Sequence, residues 1–252
     1  MSQAAAFAQL CRARTAARAF AATEIAPTVL REVLELAQTA PSSFNLQPYR
    51  IVVVQSKEQR EALAGAMLGP SNARRVREAP VTVVFAADRD PSQLTRRVMK
   101  LETEHGADPA YVARLPATVS FLLGKGLLSK AFRAAATHLL SPLSPTPKIS
   151  HSLDGWACKN TALAAGTFML AAQAHGLATA PMEGFDERRV GFLLRIPADR
   201  FSIPLVVTTG YSAKEADGRE GEDKKKPRPR FPLSEVASAD YFGAPFPDRD
   251  RE

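Results

Sequence analysis

Four separated segments hold the residues best suited to gripping a phosphorylated, planar, hydrogen-bonding ligand. The first, RTAARAF, carries Arg14 and Arg18. A guanidinium pairs with phosphate through a planar fork of donors, and two of them can neutralise a dianion; arginines near an N-terminus are also commonly plain solvated surface. The second, PSSFNLQPY (Pro41 to Tyr49), sets two hydroxyls, Ser42 and Ser43, and two amides, Asn45 and Gln47, between prolines that fix the backbone. So polar a loop ahead of an apolar run presents donors and acceptors on a rigid scaffold, although composition alone reads as an ordinary turn. The third, APMEGFD (Ala180 to Asp186), joins a strand to a helix through Glu183 and Gly184. Glycine there permits close backbone approach to a flat ligand, and Asp186 suits the helix N-cap. The fourth, KKKPRPRF (Lys224 to Phe231), is a dense basic run that reads as a nuclear-type signal, a polyanion-binding patch or solvated charge.

Other chemistries find little support. Cys11 and Cys158 lie in no CxxC and have no histidine at ligand spacing, so they read as thiols packed in a reducing compartment. The histidines (His105, His138, His151, His175) form no HExxH or related cluster, and no metal is expected. Neither a GxGxxG turn nor a Walker A loop occurs, so any nucleotide is held by another device. The net charge of +7, from 33 basic and 26 acidic residues, suits an anionic ligand, an anionic substrate or a polyanion. Against nucleic acid stand the lack of a reading motif and an aromatic content of only 7%. No apolar run approaches the roughly 20 residues needed to cross a bilayer. The N-terminus has the Ala and Arg of a transit peptide without its Ser-rich, cleavable character, and a cytoplasmic protein is expected.

Chain patterning supplies the elements that must position these segments. A helix is predicted over residues 3–13, and a second from Pro27, where the lost N–H would be unpaired anyway, to the stop at Pro41. Its Val29, Leu30, Val33, Leu34 and Ala37 fall on one face. Arg50–Gln55 and Val81–Ala87 read as strands, and Ser56 with Gln59 reads as a capping box. From Pro91 to Leu140 the pattern is helical but interrupted, consistent with a lid or with surface helices; Ser141–Pro147 reads as a loop. Ser152–His175 is predicted as one helix ended by Gly176. Its small and apolar stretch from Ala162 to Ala172 calls for burial on every side, in a core or at a subunit interface. A helix from Asp186 and the strand Ile203–Tyr211 complete an α+β or three-layer α/β/α architecture. After Tyr211 the chain turns charged and Gly/Pro-bearing, with no core of its own.

In order, RTAARAF, PSSFNLQPY, the stretch NARRVREAPVTVVF from Asn72, the small-residue helix leading to HGLATAPMEGFD, and KPRPRFPLSEV resemble the FMN-dependent nitroreductase family. The resemblance covers about residues 10 to 236 and leaves about Ser92 to Ser150 unassigned. It implies a nitroreductase-like fold, a mixed central sheet flanked by helices, with a C-terminal arm exchanged in a homodimer. Residues 1–236 would form a single FMN-binding domain with a less regular helical insertion at about 92–150, and 237–252 a tail. Carried over by position, Arg14 and Arg18 match the first flavin-binding arginines and Arg228 and Arg230 the late basic pair near the phosphate. Ser42, Ser43 and Asn45 match the loop lent by the partner subunit. Asn72 and Arg75 match the positions near the flavin pyrimidine edge, and Glu183 and Gly184 the turn whose backbone N–H faces N5. Ala16 replaces the family's usual Ser, with Thr15 as a possible substitute contact, and Tyr49 replaces the usual Trp. The implied activity moves two electrons from NAD(P)H to a nitroaromatic, quinone or similar small-molecule acceptor by a ping-pong mechanism. Same-fold alternatives are dehalogenation, flavin fragmentation and enone or enal reduction; a basic polyanion-binding protein is the remote one. Because the cofactor carries the chemistry, no catalytic acid, base or nucleophile is assigned to the chain.

Overall fold

The computed structural model describes residues 2–124, 152–213 and 229–246, together with positions 131, 135, 139, 143 and 145. The elements are α1 (Gln3–Ala13), α2 (Pro27–Gln38), β1 (Tyr49–Val54), α3 (Lys57–Ala64), α4 (Pro70–Glu78), β2 (Val81–Asp88), α5 (Pro91–Glu104), α6 (Pro109–Leu123), α7 (Leu153–Ala174), β3 (Ala178–Met182), α8 (Glu187–Leu194), β4 (Phe201–Gly210) and α9 (Leu233–Val236). They fall into two units, Met1–Arg219 and Glu220–Glu252. The second holds α9 and a small turn closed by a bridge between Ser238 and Pro245.

The helix boundaries have local causes. Pro27 opens α2, the Ser56 hydroxyl accepts from Gln59 N–H at the start of α3, and Asp186 caps α8 by accepting from Arg189 N–H. Ser152 does the same for α7 through Gly155 N–H, and Gly176 follows its C-cap at φ +71°. The loop expected at Ser141–Pro147 lies largely outside the described residues.

The four strands pair antiparallel in the order β1-β2-β4-β3, so among the described residues the sheet is antiparallel where a mixed one is expected; the one parallel pairing is an isolated bridge from Ala16, outside the strands, to Thr179. On one face α2 and α7 press Leu30, Val33, Ala165, Phe168 and Ala172 onto Val81, Val83, Phe85 and Val207. On the other, Leu63, Val76 and Val190 from α3, α4 and α8 cover Val84, Val206 and Met182. Three layers result, as the pattern of strands and helices requires. Beyond them, α5 and α6 pack Leu94, Val98, Leu115 and Val119 against Trp156 and Ala157 of α7.

Within one chain the small-residue stretch of α7 is covered on one side: Ala162 is exposed and Leu163 is 46% exposed, because the sheet and α2 reach just the face of Ala164, Ala165 and Phe168. One further expectation needs correction. Cys11 is exposed on α1, a helix that buries no residue, so it is not a packed thiol. Cys158 is half-buried 3.6 Å from the Ser202 hydroxyl, and burial raises its thiol pKa.

Irregularity in β4 is resolved by neighbouring side chains. Ile203 and Pro204 stand opposite Ala86 in a bulge, where proline's missing N–H costs no ladder bond. The Ile203 N–H released there donates to the Glu187 carboxylate at 2.7 Å. At the same end of the sheet, Asp88, with no exposed surface, accepts from Arg200 Nε at 2.9 Å and Nη2 at 2.6 Å. Hydrogen bonding to Asp88 holds the Arg200 guanidinium still further into its protonated range. Removing the partner of a buried charge is costly. Arg200→Ala, which leaves Asp88 buried with Asp90 N–H as its remaining side-chain partner among the described residues, should lower unfolding free energy by about 3–5 kcal/mol. Denaturant titration checks this, with the midpoint falling at unchanged slope.

Candidate functional site

The site is built where the turn after β3 meets the start of α4. Residues 66–68 and 184–186 run antiparallel: Asp186 N–H donates to Ala66 C=O at 2.8 Å, Leu68 N–H to Gly184 C=O at 2.8 Å, and Met67 bridges Phe185. Gly69, at φ +78°, then turns the chain into Pro70, the first residue of α4. This places Asn72, in the first turn, over the glycine. Its amide Nδ2 donates to Gly184 C=O at 3.2 Å, and its Oδ1 accepts from Arg75 Nη1 at 2.9 Å.

A side chain at 184 would not fit this arrangement. A Cβ built there would lie 2.8 Å from Asn72 Nδ2. Gly184 therefore earns its place first through close approach to the Asn72 amide. Neither the Glu183 nor the Gly184 N–H has a backbone acceptor among the described residues, because the turn's bonds use the carbonyls instead. Arg75 is half-buried, and its Nε is buried without a hydrogen-bond partner among those residues. It also has no carboxylate partner among them, whereas Arg74 pairs with Glu78 and Arg77 with Glu61. The result is a half-buried cation held by Asn72, whose amide also meets a turn with N–H groups that have no backbone acceptor among the described residues. Such a set binds an anionic or acceptor-rich planar edge.

The RTAARAF segment lies alongside. Ala17 N–H donates to Thr179 C=O at 2.9 Å, and Ala21 N–H to Tyr211 C=O at 2.9 Å. This buries Ala17 and Phe20 against Ala79 and Ala180. Thr15 and Arg14 are half-buried, and Arg18 is exposed, its carbonyl accepting from Arg74 Nη2 at 3.3 Å. Ala16 is the residue that pairs with β3.

The PSSFNLQPY loop forms a separate cluster. Phe44, Asn45 and Gln47 all have positive φ, near +50°, a conformation that costs non-glycine residues roughly 1–2 kcal/mol each. Ser42 Oγ accepts from Gln47 N–H at 3.0 Å, and Gln47 Nε2 donates to Asn45 Oδ1 at 3.1 Å. Asn160 of α7, only 2% exposed, accepts from Ser43 N–H at 2.8 Å, and Glu102 of α5 accepts from Asn45 Nδ2 at 2.7 Å. Tyr49 is buried against Ala40 and Ala164, and that burial raises the pKa of its phenol. These bonds run to α5 and α7, not to Asn72, Arg75 or Gly184. Arg228 lies outside the described residues, and Arg230 is exposed in the second unit, donating to Pro229 C=O.

Structure thus brings Asn72, Arg75 and Gly184 together and sets Ser42, Ser43 and Asn45 apart from them within one chain. Asn160 and Glu102 carried no local sequence signal, since each is a polar residue inside a helix.

Comparison with known proteins gives this geometry its context. A model described as the Nitroreductase family matches residues 11–211. The chain belongs to the nitroreductase family. It is accordingly an oxidoreductase with the expected α+β fold. A Thermus thermophilus protein named NADH dehydrogenase is 30% identical over 208 residues, spanning 82% of this chain and 83% of that protein. A solved nitroreductase family protein from Streptococcus pneumoniae, 24% identical, covers 92% of this chain and 99% of its own with a TM-score of 0.70. A protein from Exiguobacterium sibiricum solved in complex with FMN, 21% identical, gives 0.68 over 92% of this chain and 96% of its own.

Gly184→Ala should displace the Asn72 amide at a cost of about 1 kcal/mol, the worth of the lost hydrogen bond. In an Asn72→Ala background the same change should cost much less. A double-mutant cycle on thermal or denaturant stability measures the coupling.

Proposed function

We propose that this nitroreductase-family chain binds FMN and works as a homodimer. It takes two electrons from NAD(P)H and passes them to a nitroaromatic, a quinone or a similar small electrophile by a ping-pong mechanism. The observation that carries this reading is Arg75, held by Asn72 and with no carboxylate partner among the described residues, together with the Glu183–Gly184 turn that the same Asn72 meets, whose N–H groups have no backbone acceptor among them. When bound, FMN would supply the centre that accepts and donates hydride. The chain's part is to bind, orient and bias it. Arg75 and Asn72 would face the pyrimidine edge, where a fixed cation favours negative charge. The Glu183–Gly184 turn would offer its N–H near N5. Arg14, Thr15 and Arg18, with Arg228 and Arg230, would hold the phosphate. Ser42, Ser43 and Asn45 would come from the partner subunit, which agrees with their separation from Arg75 within one chain.

Two surfaces support the dimer. The face of α7 carrying Ala162 and Leu163 is uncovered, and α1 buries nothing although Phe7 stands 58% exposed. α1 rests on α7 with Ala6, Ala8 and Leu10 only half-buried, and a helix of 11 residues is marginal in water without such packing, so a second copy would complete its cover. The single FMN-binding domain would span residues 1–236, with α5 and α6 opening its insertion at about 92–150 and 237–252 as a tail. The name of the Thermus relative supports a nicotinamide donor. Free cysteines, one of them exposed, suit a reducing cytoplasm. Among the described residues no helix is long and apolar enough to cross a membrane.

Purified protein should be yellow or take up FMN, and NADH or NADPH should bleach it without oxygen. Arg75→Ala should weaken FMN retention roughly ten- to a hundredfold, the worth of hydrogen bonds to a charged group. Protein that takes up no flavin would overturn the proposal. Steady-state oxidation of the two nicotinamides with a nitroaromatic, a quinone, a halogenated phenol and an enone then assigns the acceptor class.

A further inference from the structure

Resting on the assignment of Asn45 as a flavin contact, we infer that Glu102 of α5 is a positioning residue that sets the orientation of the Asn45 amide. Asn45 Nδ2 donates to Glu102 Oε1 at 2.7 Å, while Asn45 Oδ1 accepts from Gln47 Nε2 at 3.1 Å. Both ends of the amide are thereby identified. A carboxylate can only accept, so it selects the nitrogen end, and the Gln47 NH₂ selects the oxygen end. One N–H and one lone pair of Asn45 remain for a ligand, in an orientation fixed by Glu102.

Helix stability does not account for a carboxylate here. Glu102 lies in the last turn of α5, which has no basic residue, and the Glu102 carbonyl already caps the turn by accepting from His105 and Ala107 N–H. Negative charge among the unpaired carbonyls of a helix C-terminus is unfavourable. Donation from Asn45 is what offsets it. Asn45 in turn sits at φ +54° between two other positive-φ residues, a conformation that persists only where surrounding contacts determine it. Phe44 packs on the cluster of Leu94, Val98 and Trp156, so α5 supports the loop with an apolar contact as well as a polar catch. Glu102 lies in α5, which would open the proposed insertion at about 92–150. Replacing that insertion would therefore remove the polar and apolar contacts by which α5 holds the flavin loop.

The test measures the FMN dissociation constant of the apoprotein by quenching of flavin fluorescence, alongside amide hydrogen exchange over residues 42–47 without flavin. Wild type, Glu102→Ala and Glu102→Gln are compared. Glu102→Ala should weaken FMN about fivefold and speed exchange in the loop, as loss of a half-exposed charge-assisted hydrogen bond predicts. Glu102→Gln keeps an acceptor and should stay within about twofold of wild type. Tight FMN binding and unchanged loop exchange in Glu102→Ala would overturn the inference, as would a Glu102→Gln protein as weak as the alanine variant. Wild type that binds no FMN would instead remove the flavin assignment itself, and the role of Glu102 with it.

Discussion

The close crossing of residues 66–68 over 184–186 is the constraint on which the site depends. Two backbone hydrogen bonds of 2.8 Å fix that crossing, and the missing side chain at Gly184 lets the Asn72 amide approach the backbone. From there the order is one of consequence. Asn72 holds the Arg75 guanidinium next to the turn, and the turn's own N–H groups have no backbone acceptor among the described residues. Neighbouring Arg74 ties the same helix to the carbonyl of Arg18, so the N-terminal arginine segment is placed relative to α4 by a protein contact that needs no ligand.

The rest of the fold makes that crossing stiff. β2 is buried along its whole length and lies between β1 and β4, with helices pressed on both faces. The Asp88–Arg200 pair closes one end of the sheet, and Glu187 takes the N–H released by the bulge in β4. By contrast the PSSFNLQPY loop stores strain and is held by contacts from α5 and α7. Such conformations persist only where surrounding contacts determine them, and here the two helices supply those contacts.

Much of this was legible in the sequence where the cause is local. Pro27, Ser56 with Gln59, Ser152, Gly176 and Asp186 mark helix ends because capping is chemistry between near neighbours. Strand order and the bulge at Ile203 and Pro204 depend on pairing between distant segments, and no local pattern encodes them. The exposure of Cys11 is not legible for a related reason, since the residues of a helix do not tell what covers it. Within the site, Arg75, Asn72 and Gly184 are legible through family resemblance. Asn160 and Glu102 are not, because a polar residue inside a helix ordinarily means solvated surface.

The central claim is that one site is assembled from two chains, the Arg75 cluster from one and the Ser42–Asn45 loop from the other. Subunit complementation tests it most directly. Arg75→Ala protein and a Ser43→Ala/Asn45→Ala protein, each deficient in FMN binding, are co-expressed, and heterodimers are isolated by differential tags. Sharing of the site predicts that the heterodimer regains one FMN site with wild-type affinity and loses the other. A heterodimer with no restored site would contradict the account.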